Sequence, residues 1–358
     1  MSSNQGIGNS EWVTGKRAAK SRVLPYLLVS FFLLLAILLS VAIGAVSIPL
    51  SEIGRVLAGL LTGKASTSLQ TSTLILWGIR LPRAALILLT GAALGGSGAT
   101  YQGLFRNPLA DPYLIGVASG AGLGAVLAMS IRWPTTWGGL LPIPAAAFLG
   151  ALLAVFLVYL LARVGKTVPT TNLILAGVAF SSFATALTSY LMLRSTGELS
   201  RAIAWILGGS TQAGWAPVLT VLPYLAIGLG ILLLGGHALN LLQFGEDQAQ
   251  QLGLNVTRVR TLLLLAASLS TAAAVAFSGT IGFVGLIVPH VMRLWFGADY
   301  RRLLPLSILS GAGTLLLADV FARTVMRPQE LPVGVVTALA GAPFFLWVLR
   351  RAKNQGYW

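Results

Sequence analysis

The sequence contains no cysteine, two histidines and nine acidic residues among its 358 positions. The absence of cysteine excludes disulfides, thiol catalysis and zinc–thiolate sites. Two histidines, His237 and His290, are too few for a metal centre built from histidine, and no motif indicates a bound cofactor. Charged residues make up 9% of the chain, against the roughly 25% usual in soluble domains. A chain this poor in charge is not expected to fold in water.

Apolar sequence is what the chain has in abundance. Hydrophobic residues account for 56% of it, and the mean hydropathy is +0.84. Lipid must therefore be the solvent for most of the side chains. The composition predicts an all-α polytopic membrane protein with about ten transmembrane helices. The apolar stretches of helix length are 24–46, 84–104, 113–130, 142–162, 173–193, 215–235, 261–279, 281–296, 303–322 and 333–350.

Basic residues predict how the chain is oriented in the bilayer. The net charge of +15 would suggest a nucleic-acid partner in a soluble protein. Here Lys and Arg lie in short clusters between apolar stretches, so no nucleic acid is expected. With the N-terminus inside, 15 of the 24 basic residues fall on the cytoplasmic side, which agrees with the positive-inside rule. We therefore predict a cytoplasmic N-terminal tail (1–22), a transmembrane domain (23–352) and a cytoplasmic C-terminal tail (353–358).

Glycine and proline interrupt the apolar sequence at two places, residues 106–112 and residues 278–290. In lipid, such breaks persist only where protein or a water-lined path satisfies the freed backbone groups. Broken segments at matching places in two halves of a chain are typical of transporters. The two segments therefore predict a translocation pathway.

Two absences bear on the source of energy for transport: an ATP-binding loop and acidic residues inside the helices. An ATP-binding loop would read G-x-x-x-x-G-K-[ST]; residues 165–167 match its end, but Leu160 stands in place of the first glycine. The chain is therefore not expected to be an enzyme, and any ATP would be hydrolysed by another chain. The alternative class is a proton-coupled secondary transporter, which usually keeps acidic residues inside its helices. Asp319 is the best such candidate, although its spacing from Arg323 favours a local ion pair.

Two polar features suggest docking surfaces. Arg80 and Arg83 lie at the predicted outer end of the second apolar stretch, where they would either anchor the helix to lipid headgroups or pair with acids of an extracytoplasmic protein. The longest polar loop between helices predicts a short helix with acids near its N-terminus, suited to a soluble partner. Its residues are Gly245, Glu246, Asp247, Gln248, Ala249, Gln250, Gln251, Leu252 and Gly253.

Small residues predict where helices approach closely. Gly116, Gly120 and Gly124 form two successive G-x-x-x-G steps on one helix face. Contact between two copies of the chain is one interpretation. Packing within the chain is favoured, because a protein with ten helices needs many such contacts.

Many motifs follow one another between residues 76 and 352, and in this order they resemble one transporter family. They include Arg80-Leu-Pro-Arg83, Gly98-x-x-x-Gln102, Arg106-Asn-Pro-Leu-Ala-Asp-Pro112, Leu175-Ala-Gly-Val178, Gly245-Glu246, Leu252-Gly253, Gly282-Phe-Val-Gly-Leu286, Pro289-His290, Ala318-Asp319, Ala322-Arg323, Glu330-Leu-Pro-Val-Gly334 and Gly341-Ala-Pro-Phe344. The chain is similar to the permease subunits of binding-protein-dependent ABC importers for iron–siderophores, haem and cobalamin, the FecCD-type or type II importers.

The resemblance implies the type II ABC importer permease fold in a homodimer, with two cytoplasmic ATPases and an extracytoplasmic binding protein as partners. It implies that residues 245–253 form the coupling helix seated in the ATPase. The residues expected to contact the binding protein are Arg80, Arg83 and Arg323, and the residues expected to form two cytoplasmic gates are Asn107, Leu109, Thr170 and Thr171. The expected cargo is ferric siderophore, with haem or cobalamin as alternatives, and the expected location is the bacterial or archaeal inner membrane.

Overall fold

The computed structural model describes residues 23–44, 49–62, 70–131, 142–165, 168–194, 199–209 and 214–353, and nearly all of these residues are helical. The predicted N-terminal tail (1–22) and residues 354–358 of the predicted C-terminal tail lie outside the described residues. Lys353, predicted to begin that tail, is the last residue of the final helix. The predicted all-α fold class is confirmed.

The helices follow one another with short connections. In chain order they are α1 (Leu24–Ala42), α2 (Leu50–Thr62), α3 (Gln70–Ile75), α4 (Leu81–Leu104), α5 (Val117–Met129), α6 (Pro142–Ala162), α7 (Thr170–Arg194), α8 (Leu199–Ile206), α9 (Ala216–Leu234), α10 (Gly236–Leu242), α11 (Glu246–Gln251), α12 (Val256–Ser278), α13 (Val284–Phe296), α14 (Tyr300–Thr324) and α15 (Val333–Lys353). A π-helical turn, Leu76–Arg80, joins α3 to α4, and a 3-10 turn, Pro112–Ile115, precedes α5.

Ten of these helices are apolar enough to form the membrane-embedded body. Seven are long enough to cross a bilayer, namely α1, the continuous unit from Thr71 to Leu104, α6, α7, α9, α12 and α14. Three shorter apolar helices, α5, α13 and α15, complete the set within the described residues. They coincide with the ten predicted stretches, because a long apolar run in lipid can satisfy its backbone only as a helix or within a closed barrel.

The second membrane helix begins earlier than the sequence suggests. Its predicted start was residue 84, after two arginines, whereas the structure continues the helix back through the π-helical turn to Thr71. Arg80 is only 6% exposed, and its guanidinium donates to carbonyl oxygens of α1. A charge inside an apolar helix is tolerated when the protein supplies such partners.

The centre of the bundle consists of α4, α12 and α14. A Cβ atom added at Gly91 would lie 2.3 Å from the carbonyl oxygen of Gly311, and one at Gly95 would lie 2.2 Å from that of Ser307. The backbones of α4 and α14 therefore touch, which only small residues allow. In the most apolar stretch of α12, 78% of the residues are buried. In the most apolar stretches of α1 and of α7, 22% are buried. Outer helices expose apolar stripes for lipid, on α1 formed by Leu27, Phe31, Leu34 and Leu38.

The predicted glycine contact lies inside the chain, between α5 and α6. A Cβ atom at Gly120 would lie 2.5 Å from the carbonyl oxygen of Gly150, and one at Gly124 would lie 2.1 Å from that of Ala146. Gly116 has a different role: with a φ of 82° it occupies the N-cap position of α5, a left-handed conformation that glycine adopts without strain. The structure thus confirms packing within the chain.

The bundle has two chemically different ends. One end carries α11, together with the C-termini of α4 and α6 and the N-termini of α7 and α12, and we call it the α11 face. The other end carries the C-termini of α1 and α14 and the start of α4, and we call it the arginine face. The 24 residues of α4 connect the two faces over about 36 Å, at 1.5 Å per helical residue.

Candidate functional site

The two glycine- and proline-interrupted segments meet inside the bundle. The Tyr113 hydroxyl donates to the carbonyl oxygen of Ile281 at 3.0 Å and accepts from the amide of the same residue at 3.1 Å. The ring of Pro112 lies against Gly285, since a Cβ atom there would be 2.9 Å from the proline Cδ. The freed backbone groups of the second segment are thus satisfied by a side chain that follows the first, as non-helical backbone in lipid requires.

An open groove of about 640 Å³ lies beside this meeting point. Its lining combines apolar side chains of α7 with hydroxyl groups and one carboxylate, from Asp111, Tyr113, Leu114, Val178, Ser181, Ser182, Thr185 and Ala186. The hydroxyls of Ser181 and Ser119 are 3.1 Å apart. The groove is therefore largely apolar with a few polar groups, and it lies beside the two interrupted segments that predict a translocation pathway.

One predicted gate lies in the turn after α4, on the α11 face. Arg106 has a φ of 48°, a left-handed conformation that turns the chain away from α4. The side-chain oxygen of Asn107 accepts from the amide of Leu109 at 2.9 Å, which fixes a tight turn before Pro112. Asn107 and Leu109 are both half-buried, so their positions are defined by the fold.

The other predicted gate, Thr170 and Thr171, forms the first turn of α7. Thr170 is half-buried and Thr171 is exposed. Among the described residues, no hydrogen bond joins this pair to Asn107 or Leu109. The structure therefore places the two predicted gates on the same face but in separate segments, and their role as gates stays a prediction.

The predicted short polar helix is present as α11, slightly shorter than residues 245–253, and its coupling role stays a prediction. Gly245, with a φ of 110°, precedes it, and Gly253, with a φ of 88°, follows it. Glycine adopts such angles readily, which explains both ends. Ala249 is buried beneath the helix, while the other side chains of α11 are exposed: Glu246, Asp247, Gln248, Gln250 and Gln251.

Contacts join α11 and its approach to the first turn of α7 and to the end of α4. Arg260, in α12, pairs with Glu246 at 2.7 Å and also donates to the Thr170 hydroxyl. Gln243, just before α11, donates its amide to the carbonyl oxygen of Gly103, near the end of α4, at 3.0 Å. Sequence reasoning missed Arg260 and Gln243. Arg260 lies about one turn into α12, and no sequence motif marks either residue.

A cavity of about 300 Å³ adjoins the Arg260 contacts. It is enclosed by the start of α7, the start of α12 and the end of α6, with Glu246 at one side. Lining residues include Tyr159, Val168, Pro169, Thr170, Thr257 and Thr261. The space leaves room for α11 and the first turn of α7 to shift relative to α12.

On the arginine face, Asp319 holds two of the predicted docking arginines. Its carboxylate lies 2.9 Å from the guanidinium of Arg83 and 2.9 Å from that of Arg323. Arg83 also pairs with Glu330 at 2.7 Å. The predicted ion pair of Asp319 with Arg323 is present. This pairing gives the acid a structural role and offers no support for a proton-coupled carrier.

Arg80 and Arg323 bind the C-terminal end of α1. Arg80 donates to the carbonyl oxygens of Val41 and Ala42 at 2.9 and 3.1 Å, and Arg323 donates to that of Ser40 at 3.2 Å. These carbonyls come at the end of a helix, where intrahelical donors run out and cations are favoured. Arg80 and Arg323 are each 6% exposed. Arg83 is the more accessible of the three arginines, with 19% of its side chain exposed, and contact of any of the three with a binding protein stays a prediction.

Ten apolar helices, an open groove beside two interrupted segments and an exposed polar helix at one face are the features of a multi-pass membrane transport permease. The model of the FecCD transport family matches residues 32–351. The chain belongs to this family, whose members are permease subunits of type II ABC importers.

Three similar proteins place the chain within the family. It is 46% identical over 281 residues to the cobalamin import system permease protein BtuC of Halobacterium salinarum, covering 78% of this chain and 74% of that one. It is 39% identical over 345 residues to the hemin transport system permease protein HmuU of Yersinia pestis, covering 93% and 98%. A solved metal-chelate type ABC transporter in an inward-facing conformation is 31% identical, with a TM-score of 0.77 over 91% of this chain and 98% of that one.

Proposed function

We propose that this chain is the membrane subunit of an ATP-driven importer that takes up a metal chelate delivered by an extracytoplasmic binding protein. The observation that carries the proposal is α11, an exposed polar helix that is joined through Arg260 to the first turn of α7 and through the preceding Gln243 to the end of α4. A helix that is exposed on one side and linked through Arg260 to a predicted gate on the other is suited to convert a partner's movement into opening and closing.

The ATPase would dock on α11 from the cytoplasm. Two large apolar side chains flank the helix and are exposed, Phe244 at 65% and Leu252 at 63%. Exposed apolar groups beside charged ones are typical of interface centres, and the acids Glu246 and Asp247 add a charged rim. In this arrangement both chain termini are cytoplasmic and the arginine face is extracytoplasmic. The membrane is the bacterial or archaeal inner membrane.

A second copy of the chain would complete the pathway. The groove beside α7 is open, and Ser182 and Thr185 on its wall are exposed in the single chain. Hydroxyl groups within a bilayer are favoured where they line water or contact protein. A homodimer that joins two such walls would enclose the groove above the predicted gates. Arg83 and Glu330, the more accessible groups of the arginine face, would then meet the binding protein.

The cargo we propose is ferric siderophore, with haem and cobalamin as the alternatives. The similar proteins are named for cobalamin, for hemin and for metal chelates. Ferric siderophores, haem and cobalamin are all large organic chelates of one metal ion, with polar edges. A wide groove lined by hydroxyls and apolar side chains suits such shapes without selecting one, so the binding protein would set specificity.

Reconstitution into proteoliposomes with the ATPase and the binding protein tests the proposal. We expect ATP-dependent uptake of labelled ferric siderophore; uptake of haem or cobalamin alone would select that alternative. Replacing residues 246–251 by a Gly/Ser linker should abolish stimulated ATP hydrolysis without unfolding the permease. Uptake driven by a proton gradient without ATPase, or full stimulation of the linker variant, would contradict the proposal.

A further inference from the structure

We infer that Arg260 is a positioning residue that transmits movement of α11 to the first turn of α7. The inference rests on the proposed function, because it assigns a route by which ATPase docking at α11 reaches Thr170 and Thr171. Neither the composition nor the motifs of the chain single out this arginine.

The geometry gives Arg260 two partners that belong to different moving parts. One terminal nitrogen lies 2.7 Å from the Glu246 carboxylate, and the other donates to the Thr170 hydroxyl. The guanidinium is planar and rigid, so its two donors keep a fixed relative position. A shift of Glu246 therefore displaces or rotates the group that holds Thr170.

Burial makes this contact specific. The Arg260 side chain is 13% exposed, whereas that of Glu246 is 55% exposed. The arginine is thus held within the protein, and its acidic partner lies where another chain can reach it. A charge-assisted hydrogen bond in such a site is shorter and stronger than a neutral one. Movement of Glu246 in either direction would therefore move the Arg260 guanidinium with it.

The surroundings allow α11 and α7 to move while α12 stays in place. Glycines with left-handed φ values stand on both sides of α11, at Gly245 and Gly253, and a cavity of about 300 Å³ lies beside the Arg260 contacts. Farther along, α12 is largely buried. Arg260 is therefore part of α12, which stays in place, and is bonded to α11 and to the first turn of α7, which can move.

The link from Gln243 to the end of α4, which precedes the other predicted gate, is of a different kind. Gln243 donates to a backbone carbonyl of Gly103 at 3.0 Å, a neutral bond with no charged partner. Replacing the charge at position 260 should therefore disturb the α7 segment and leave the turn after α4 in place. This difference gives the inference a signature beyond loss of activity.

The test compares Arg260→Glu with Arg258→Glu in the full transporter complex. Arg258 lies two residues away on the exposed start of α12, so it carries the same charge change without the two contacts. We expect Arg260→Glu to lower transport per ATP hydrolysed by about tenfold, within the range usual for coupling between two sites. Arg258→Glu should stay near the wild-type ratio.

Two further variants separate transmission from simple destabilisation. Exchange of the pair, Glu246→Arg with Arg260→Glu, should recover part of the coupling, and Arg260→Lys should retain part of it. Because the chain lacks cysteine, Thr171→Cys can report the segment directly. Its reactivity with a thiol reagent should change with nucleotide in the wild-type background and stop changing with Arg260→Glu. Should Arg260→Glu fail to fold, Arg260→Gln replaces it, with the same expectations.

Three outcomes would overturn the inference. The first is unchanged transport per ATP in folded Arg260→Glu or Arg260→Gln protein. The second is loss of ATPase binding in these variants, which would make Arg260 part of the docking surface. The third is a nucleotide response at position 171 that persists without the arginine. Failure of the proposed function is distinct, since the wild-type complex would then show no ATP-driven uptake, and the inference would fall with it.

Discussion

Replacing Asp319 by asparagine should destabilise the permease far more than replacing Glu330 by glutamine. Both acids pair with Arg83, at 2.9 and 2.7 Å, and both substitutions remove one negative charge while keeping the side-chain shape. They differ in burial: the Asp319 side chain is 0% exposed and that of Glu330 is 45% exposed. The two variants are therefore matched controls for each other.

The expected magnitudes follow from this difference in burial. Removing one member of a buried ion pair leaves an uncompensated charge and costs about 3–5 kcal/mol. Asp319 also neutralises the buried Arg323 at 2.9 Å, so we expect the upper half of that range. An exposed pair contributes roughly 0–1 kcal/mol. The difference of at least about 3 kcal/mol corresponds to a change of roughly 150-fold in the ratio of folded to unfolded protein, at about 1.4 kcal/mol for each factor of ten.

Reversible unfolding of the purified permease in mixed micelles, followed by circular dichroism, measures both variants against the wild type. Equal losses of unfolding free energy for the two variants, or a loss below about 1 kcal/mol for Asp319→Asn, the level of an exposed pair, would refute the reasoning. Such a result would mean that the arginine face is hydrated and that its burial in the single chain does not govern its energetics.

Three other measurements test the fold and the proposed pathway. Gly98→Ala should lower the free energy of unfolding by about 1–3 kcal/mol through overpacking, because its Cβ would lie 1.8 Å from the carbonyl oxygen of Gly285. Gly122→Ala, whose Cβ would have nothing within 4 Å, should be neutral or stabilising. Equal thermal stability of the two variants would contradict this packing. Cross-linking of Thr171→Cys between two copies should block uptake in proteoliposomes, and wide separation in every nucleotide state would remove Thr171 from the gate. Charge reversal at Arg83 should weaken binding-protein affinity, and added salt should weaken the wild-type complex; an affinity indifferent to both would leave Arg83 a structural residue.

The membrane helices were predictable because length and apolarity alone decide them. All ten predicted stretches correspond to helices, and errors occurred mainly at their ends. The start of the second helix was missed because Arg80 and Arg83 were placed at its outer end, whereas the partners of Arg80 are carbonyl oxygens 38 and 39 residues earlier in the chain. Backbone partners at such distances leave no trace in local sequence patterns.

Side-chain networks were the least predictable part of the candidate site. The sequence indicated the polar loop that became α11, since its composition differs from everything around it. It gave no sign that Arg260 bridges Glu246 and Thr170, because these residues come from three separate helices. Short helices such as α8 and α10 were missed for a similar reason, since they lack the length of an apolar stretch that signals a membrane span.

The way in which α1 ends has a consequence for how the chain is assembled. Ribosomes deliver α1 first, yet the guanidinium of Arg323 that binds Ser40 belongs to a residue 283 positions later. Until α14 is inserted, the last turn of α1 lacks one of the cations that satisfy it in the finished protein. Arg80 can bind the end of α1 once α4 is present, but the contact with Arg323 can form only when almost the entire bundle has been made.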